Sequence, residues 1–330
     1  MIITRTPFRI SLFGGGTDLP DFYLNHGGAV ISTTIDKYLY ITCRKMPPFW
    51  EHKHRLVYGA QSEMVNRIDE IEHPSIRETL RFLNNQDGLD LHYNTDIPAR
   101  SGIGSSSSFT VGLLHALHGL NGKMVSKRRL AAEAIHIEQD MIGEAVGCQD
   151  QIAAAFGGFN HIEFKKDDSF EISPIILDAN SANELHTNLV LLFTGFQRFA
   201  VDIEKEKISK IDKNIKALSE MKEITSQALG VLKTSADMDE IGGLLHESWM
   251  LKKSLSDKVS TSRIDEIYAC GMDNGALGGK ILGAGGGGFI LFYVRPEHRR
   301  KLLGSLSDLI HVPFTFEKTG SQVIYYREGD

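Results

Sequence analysis

Five serines and two glycines are packed into Pro98-Ala-Arg-Ser-Gly-Ile-Gly-Ser-Ser-Ser-Ser108, and an almost wholly apolar stretch, Phe109–Leu120, follows at once. Gly102 and Gly104 carry no Cβ, so the main chain there can lie directly against a ligand. Ser105–Ser108 fall on the first turn of a helix expected over 105–120. Its opening N–H groups have no intrahelical partners, and its dipole favours a negative charge. The chemistry this suits is a cradle for phosphate. It is not the Gly-x-x-x-x-Gly-Lys-Ser/Thr loop, because no lysine is present. A serine-rich turn capping a core helix is the plainer alternative.

Two carboxylates stand in positions that ask for an explanation. Leu130, Ala131, Ala134, Ile135, Ile142 and Ala145 trace one face of a helix expected over about 126–145, and Glu138 falls inside that stripe. A carboxylate on a packed face needs a cation or several donors. A salt bridge would do. So would a Mg²⁺ ion completed by phosphate oxygens and a serine hydroxyl. Twelve residues on, Asp150 in Gly147-Cys-Gln-Asp-Gln151 opens another expected helix. It can serve as an N-cap, or it can accept or orient the proton of an attacking hydroxyl.

Two further glycine-rich segments flank these. In Pro7–Leu19 an expected strand carrying Arg9 runs into Gly14-Gly-Gly-Thr-Asp18. Asp18 can take two hydroxyl hydrogen bonds at once, or it can cap a turn. If Arg9 reaches Asp150, its charge helps to stabilise a developing anion. The third segment, Gly283-Ala-Gly-Gly-Gly-Gly288, has a high conformational-entropy cost on folding, and main chain lying against a ligand explains it better than a simple hairpin.

These residues need a frame. Strands are expected at Met1–Thr4, Arg9–Phe13, Ala29–Thr33, Tyr38–Cys43, Arg55–Tyr58, Leu89–Tyr93, Phe156–Phe164 (its Gly157–Gly158 pair marking a bend or bulge), Leu189–Thr194, Phe289–Val294 and Ser321–Tyr326. A long amphipathic helix follows Ile208, Ile211, Ile215, Leu218, Met221, Ala228 and Leu232, with others near 238–256 and 262–274 and one opened by Pro296. Asp178–His186 reads as a connector, which places a boundary between 1–185 and 186–330. The chain has 330 residues, 42% hydrophobic and 24% charged, and a net charge of −6. That is an ordinary globular composition, without the basic balance of a nucleic-acid or anionic-membrane binder. Cys43, Cys148 and Cys270 have no metal-ligand spacing. With no leader pattern and no run near the ~20 apolar residues of a membrane span, a cytoplasmic setting is expected.

Taken together, Pro7–Leu19, Pro98–Ser108 and Lys280–Phe289 resemble, in order and spacing, the three signature segments of the GHMP kinases, the galactokinase, homoserine kinase, mevalonate kinase and phosphomevalonate kinase family. The resemblance implies an α+β fold in two lobes, one ribosomal-protein-S5-like and N-terminal, the other ferredoxin-like and C-terminal. It implies that Arg100, Ser101, Gly102, Ile103, Gly104, Ser105, Ser106 and Ser107 hold the phosphates of ATP. Ser106 and Glu138 would be Mg²⁺ ligands, Asp150 the catalytic aspartate with Arg9 beside it, and Asp18 the sugar-hydroxyl aspartate. Gly15, Gly16, Thr17, Gly285 and Gly286 would complete the sugar site. Galactokinases read Gly-Glu-His-Thr-Asp where this chain reads Gly14-Gly15-Gly16-Thr17-Asp18, so galactose is not the expected substrate.

Within the family, Phe13–Pro20, Ser32–Tyr38, Pro48–Arg55, Ala134–Asp140 and His246–Trp249 resemble the D-glycero-D-manno-heptose 7-phosphate kinases, which phosphorylate the anomeric hydroxyl. A sugar phosphate needs basic residues at its tail, and Arg198 is the first candidate, ahead of Lys53 and Arg55. A fucokinase-like enzyme acting on a neutral sugar and a non-catalytic sugar sensor are the competing readings. The expected partners are ATP and a small sugar phosphate, for a monomer or homodimer.

Overall fold

The computed structural model describes residues 1–59, 61–99, 101–196, 206, 210–234 and 237–327; Arg100 and Arg198 lie outside them. Two sheets organise the chain. The larger has nine strands, with a main order β13-β1-β2-β5-β3-β4, in which β12 and β6 also pair with β2, and β7 with β6. These are β1 Ile2–Phe13, β2 Gly28–Lys45, β3 His54–Tyr58, β4 Gln61–Val65, β5 Leu89–Thr95, β6 Phe159–Phe164, β7 Phe170–Pro174, β12 Phe316–Glu317 and β13 Gln322–Tyr326. The smaller is antiparallel with order β11-β8-β10-β9, formed by β8 Leu189–Phe193, β9 Ala276–Ile281, β10 Phe289–Val294 and β11 Ile310–His311.

Ten helices join them among the described residues: α1 Pro20–His26, α2 Pro74–Phe82, α3 Ser105–Leu120, α4 Lys127–His136, α5 Gln149–Phe156, α6 Ala179–Asn188, α7 Ile211–Thr234, α8 Glu240–Ser254, α9 Ser262–Asp273 and α10 Pro296–Ser305. No helix among those residues is long and apolar enough to cross a membrane.

The element that matters most for the site is α3, buried over the whole run Ser107–Leu114. It lies close on β1 because its glycines allow it: a Cβ on Gly119 would come within 2.3 Å of Ile2 Cδ1. Thr4 Oγ1 donates to the Gly112 carbonyl at 3.0 Å, fixing the helix on the strand. Against the other end of β1 packs α5. Residues from β1 and from the starts of α3 and α5 are thereby brought to one place.

Four local expectations change. The paired short strands at the N-terminus are one twelve-residue strand, with a register shift at Pro7/Phe8 where proline supplies no N–H. Ala29–Thr33 and Tyr38–Cys43 are parts of the single β2, because β6, β12 and β5 pair with its successive thirds. The helix drawn over 126–145 ends at His136 and passes into a π-turn, Ile137–Met141. Asp178–His186 is no connector: Asp178 caps α6, accepting from Asn180 N at 2.9 Å and Ser181 N at 3.1 Å, while Leu185 is buried. The last strands, β12 and β13, return to pair with β2 and β1, so the stretch after residue 186 is shared between the two sheets.

Candidate active site

Arg9 is the hinge of the site. It leaves β1 with 4% exposure, and its Nε and Nη2 each donate to Asp150, to Oδ1 and Oδ2, both at 2.7 Å. Its Nη1 donates to the Gly102 carbonyl at 2.8 Å, and its backbone N–H to the Ile103 carbonyl at 3.1 Å. One side chain thus binds the aspartate and the glycine-serine loop together, in a bidentate arrangement that fixes the plane of the carboxylate. Asp150 is the second residue of α5 and caps nothing; Cys148 holds the cap position.

Gly104 opens α3 in the left-handed region, at φ 76°. A Cβ there would stand 3.2 Å from Arg9 Cγ and 3.4 Å from Asp150 Oδ2, so only about the space of a methyl group separates the loop from the aspartate. The four serines of the first turn differ in use. Ser107 Oγ donates to Glu138 Oε2 at 2.8 Å, Ser108 Oγ to the Pro7 carbonyl at 3.0 Å, and Ser106 is exposed to the cavity.

Glu138 is fully buried in the π-turn. Its Oε2 also accepts from Gln151 Nε2 at 2.5 Å, while its Oε1 has no partner. Burial pushes its carboxyl up to about 7, against the pull of Thr110, Ser107 and Gln151, and the nearby charge of Glu144 adds to the rise. Asp18 accepts from Gly16 N at 2.8 Å through Oδ1 and from Gln149 N at 3.2 Å through Oδ2. Gly147 packs on it so closely that a Cβ would lie 1.9 Å from Oδ2.

Arg9, Gly15, Gly16, Asp18, Gly102, Gly104, Ser105, Ser106, Ser107, Glu138 and Asp150 all line one cavity of about 550 Å³. Other expected site residues lie elsewhere. Ser101 Oγ donates to the Pro98 carbonyl at 2.7 Å, and Ile103 is core. Thr17 is wholly buried, its hydroxyl on the Gly14 and Ala29 carbonyls, where it ties the glycine turn to β2. Gly285 and Gly286 pack on Val259, with Gly286 N donating to the Val259 carbonyl at 2.8 Å. That run also packs closely on the phosphate loop: a Cβ on Gly283 would lie 2.5 Å from Gly102 Cα, and one on Gly288 2.3 Å from the Ser101 carbonyl oxygen, while Gly283 and Ala284 line the cavity. Arg55 is held by Asp90 at 2.8 Å, Lys53 is exposed, and neither lines the cavity.

The cavity also has walls that sequence reasoning missed. Lys252 of α8, 5% exposed, donates to the Ile281 and Gly283 carbonyls at 2.9 and 2.5 Å, and Lys280 donates to the Leu12 carbonyl at 2.8 Å. A lysine amid the glycines and aliphatics of 278–284 was the signal for the second. Tyr58, His73, Tyr93 and Phe109 form an aromatic wall, with ring centroids 4.8 to 5.3 Å apart between neighbours.

An anion cradle tied through one arginine to an aspartate, with a buried carboxylate behind, suits the class of enzymes that move phosphoryl groups onto small hydroxyl compounds. The comparisons agree. The model of the GHMP kinase N-terminal domain matches residues 71–158, and that of the C-terminal domain residues 213–310. The chain belongs to the GHMP kinases and is an ATP-dependent kinase. It is 32% identical to a D-glycero-alpha-D-manno-heptose 7-phosphate kinase of Campylobacter jejuni over 92% of this chain and 93% of that one. It is 24% identical to a bifunctional fucokinase/GDP-fucose pyrophosphorylase of Arabidopsis thaliana, over 90% of this chain and 30% of that longer protein. A solved structure described as a D-glycero-D-manno-heptose 1-phosphate kinase, from Bacteroides thetaiotaomicron, superposes with a TM-score of 0.81 over 99% of this chain and 100% of its own, at 24% identity. The fold is therefore the two-domain GHMP kinase fold.

Proposed function

We propose that the protein transfers the γ-phosphoryl group of ATP to the anomeric C1 hydroxyl of D-glycero-D-manno-heptose 7-phosphate, giving the 1,7-bisphosphate for GDP-heptose synthesis. The observation that carries the reading is Arg9, which bonds Asp150 through both oxygens and the Gly102 carbonyl of the phosphate loop at once. The 32% identity to the Campylobacter enzyme supports the sugar.

In this reading the ATP phosphates lie over the start of α3, and the base rests against the wall of Tyr58, His73, Tyr93 and Phe109. Asp18 and the Gly15–Gly16 turn grip the sugar. Asp150 orients the acceptor hydroxyl, and Arg9 sets a positive charge beside the transferring group. Glu138 with the serine hydroxyls would hold Mg²⁺, which supplies charge neutralisation on the phosphates. The residues fit that ion: Glu138 Oε1 is buried without a partner, and carboxylate and hydroxyl are the hard oxygen donors it prefers.

The neutral-sugar reading draws support from Lys53 and Arg55, two of the three candidates for the sugar's phosphate, which do not line the cavity. An ADP-release screen over heptose 7-phosphates, mannose, fucose and galactose decides, with phosphorus NMR to find the modified oxygen. Turnover on fucose without turnover on a heptose phosphate overturns the proposal. The glycine at 147 gives a second check. Gly147→Ala should displace Asp18 and lower kcat/KM for the sugar about tenfold or more, with ATP affinity near wild type in a nucleotide titration.

A further inference from the structure

Gln149, the first residue of α5, touches both carboxylates that face the acceptor, and every polar atom of its side chain is engaged. Its backbone N–H donates to Asp18 Oδ2 at 3.2 Å, and its Nε2 donates to Asp150 Oδ1 at 3.2 Å. Its Oε1 accepts from Ser11 Oγ at 2.9 Å. The side chain lines the cavity although the residue is only 3% exposed. The amide can face a carboxylate only with its NH₂ end, and the Ser11 hydroxyl holds the other end in that sense.

The two oxygens of Asp150 consequently differ. Oδ1 accepts two hydrogen bonds, from Arg9 Nε and Gln149 Nε2, while Oδ2 accepts one, from Arg9 Nη2. A carboxylate oxygen has two in-plane acceptor sites, so Oδ1 is filled and Oδ2, the atom facing Gly104, keeps one open.

Resting on the kinase reading above, we propose that Gln149 is a positioning residue that fills Oδ1 of Asp150, so that the acceptor hydroxyl is received at Oδ2, and that locks this carboxylate to the sugar-gripping Asp18. As the acceptor oxygen bonds to phosphorus and the bond to the ADP oxygen breaks, the hydroxyl proton passes to Asp150 Oδ2. It leaves to solvent after the products. Without the amide, Asp150 keeps its arginine but loses the contact that distinguishes its two oxygens.

Gln149→Met, of similar length and without the amide, tests this. The expected result is a kcat lowered roughly 10- to 100-fold with the KM for ATP unchanged, since misplacement by about an ångström costs that much in a positioned reaction. Ser11→Ala frees the amide and should lower kcat less. The double variant Ser11→Ala/Gln149→Met should be no slower than Gln149→Met alone, because the hydroxyl acts only through the amide. Turnover by Gln149→Met close to wild type overturns the proposal. So does a joint loss of kcat, ATP affinity and Tm, the pattern of a merely structural residue. The comparison is made on whichever acceptor the wild type uses, so a failed heptose assignment shows in the wild type and a failed Gln149 assignment only in the variants.

Discussion

Asp150→Asn is expected to lower kcat roughly 10²- to 10⁴-fold, the range that a positioned proton acceptor contributes, while nucleotide affinity stays near wild type. The separation follows from the hydrogen bonds. Arg9 holds the phosphate loop through the Gly102 carbonyl and, by its backbone, the Ile103 carbonyl, and neither contact passes through Asp150. Asparagine keeps one oxygen for Arg9 Nε but turns an NH₂ group toward a guanidinium N–H. The Asp150 side chain is 27% exposed, so water can serve the freed donor and the stability loss stays modest. Single-turnover ADP formation, read beside an ATP titration and a melting curve, checks this. A folded variant with wild-type turnover would exclude Asp150 as the proton acceptor. A parallel loss of ATP affinity would show instead that the substitution had reached the phosphate loop through Arg9.

What the chain discloses before folding is the set of residues and not always their use. The burial of Glu138 follows from helical periodicity, and the start of α3 from the step between glycines, serines and apolar residues; both are local patterns. The glycines of 283–288 announce a need for close backbone approach, which looks the same in sequence whether the neighbour is a ligand or residues 101 and 102; Gly283 and Ala284 line the cavity, while the others pack on main chain. Thr17 sits in a glycine turn beside Asp18, yet points away, since its orientation is set by Ala29, twelve residues on. The Ser107–Glu138 and Gln149–Asp18 contacts span 31 and 131 residues, and no periodicity announces a partner at such distances. The aromatic wall draws on β3, β5, α3 and the residue before α2, which only the sheet order brings together.

Glu138→Gln should remove a pH-dependent loss of stability from the metal-free protein. The wild-type carboxyl titrates at about 7 when folded against an ordinary value of 4.5, so the folded state binds the extra proton between those limits. Stability from this group is whole below about 4.5 and is lost as pH rises through about 7, because the folded state must then ionise a carboxylate with one oxygen unpartnered. The span corresponds to about 3 kcal/mol. Glutamine has no charge to bury and its oxygen can still accept from Ser107 and Gln151. The variant should therefore lack this fall, and in urea titrations it should be more stable than wild type at pH 8 and closer to it at pH 5. Adding Mg²⁺ with ATP should reverse the order, raising the wild-type Tm more than that of the variant. The Mg²⁺ needed for half-maximal activity should rise about tenfold or more. Parallel pH curves would remove Glu138 as the titrating group, and an unchanged magnesium requirement would make it a structural carboxylate held by Ser107 and Gln151 alone.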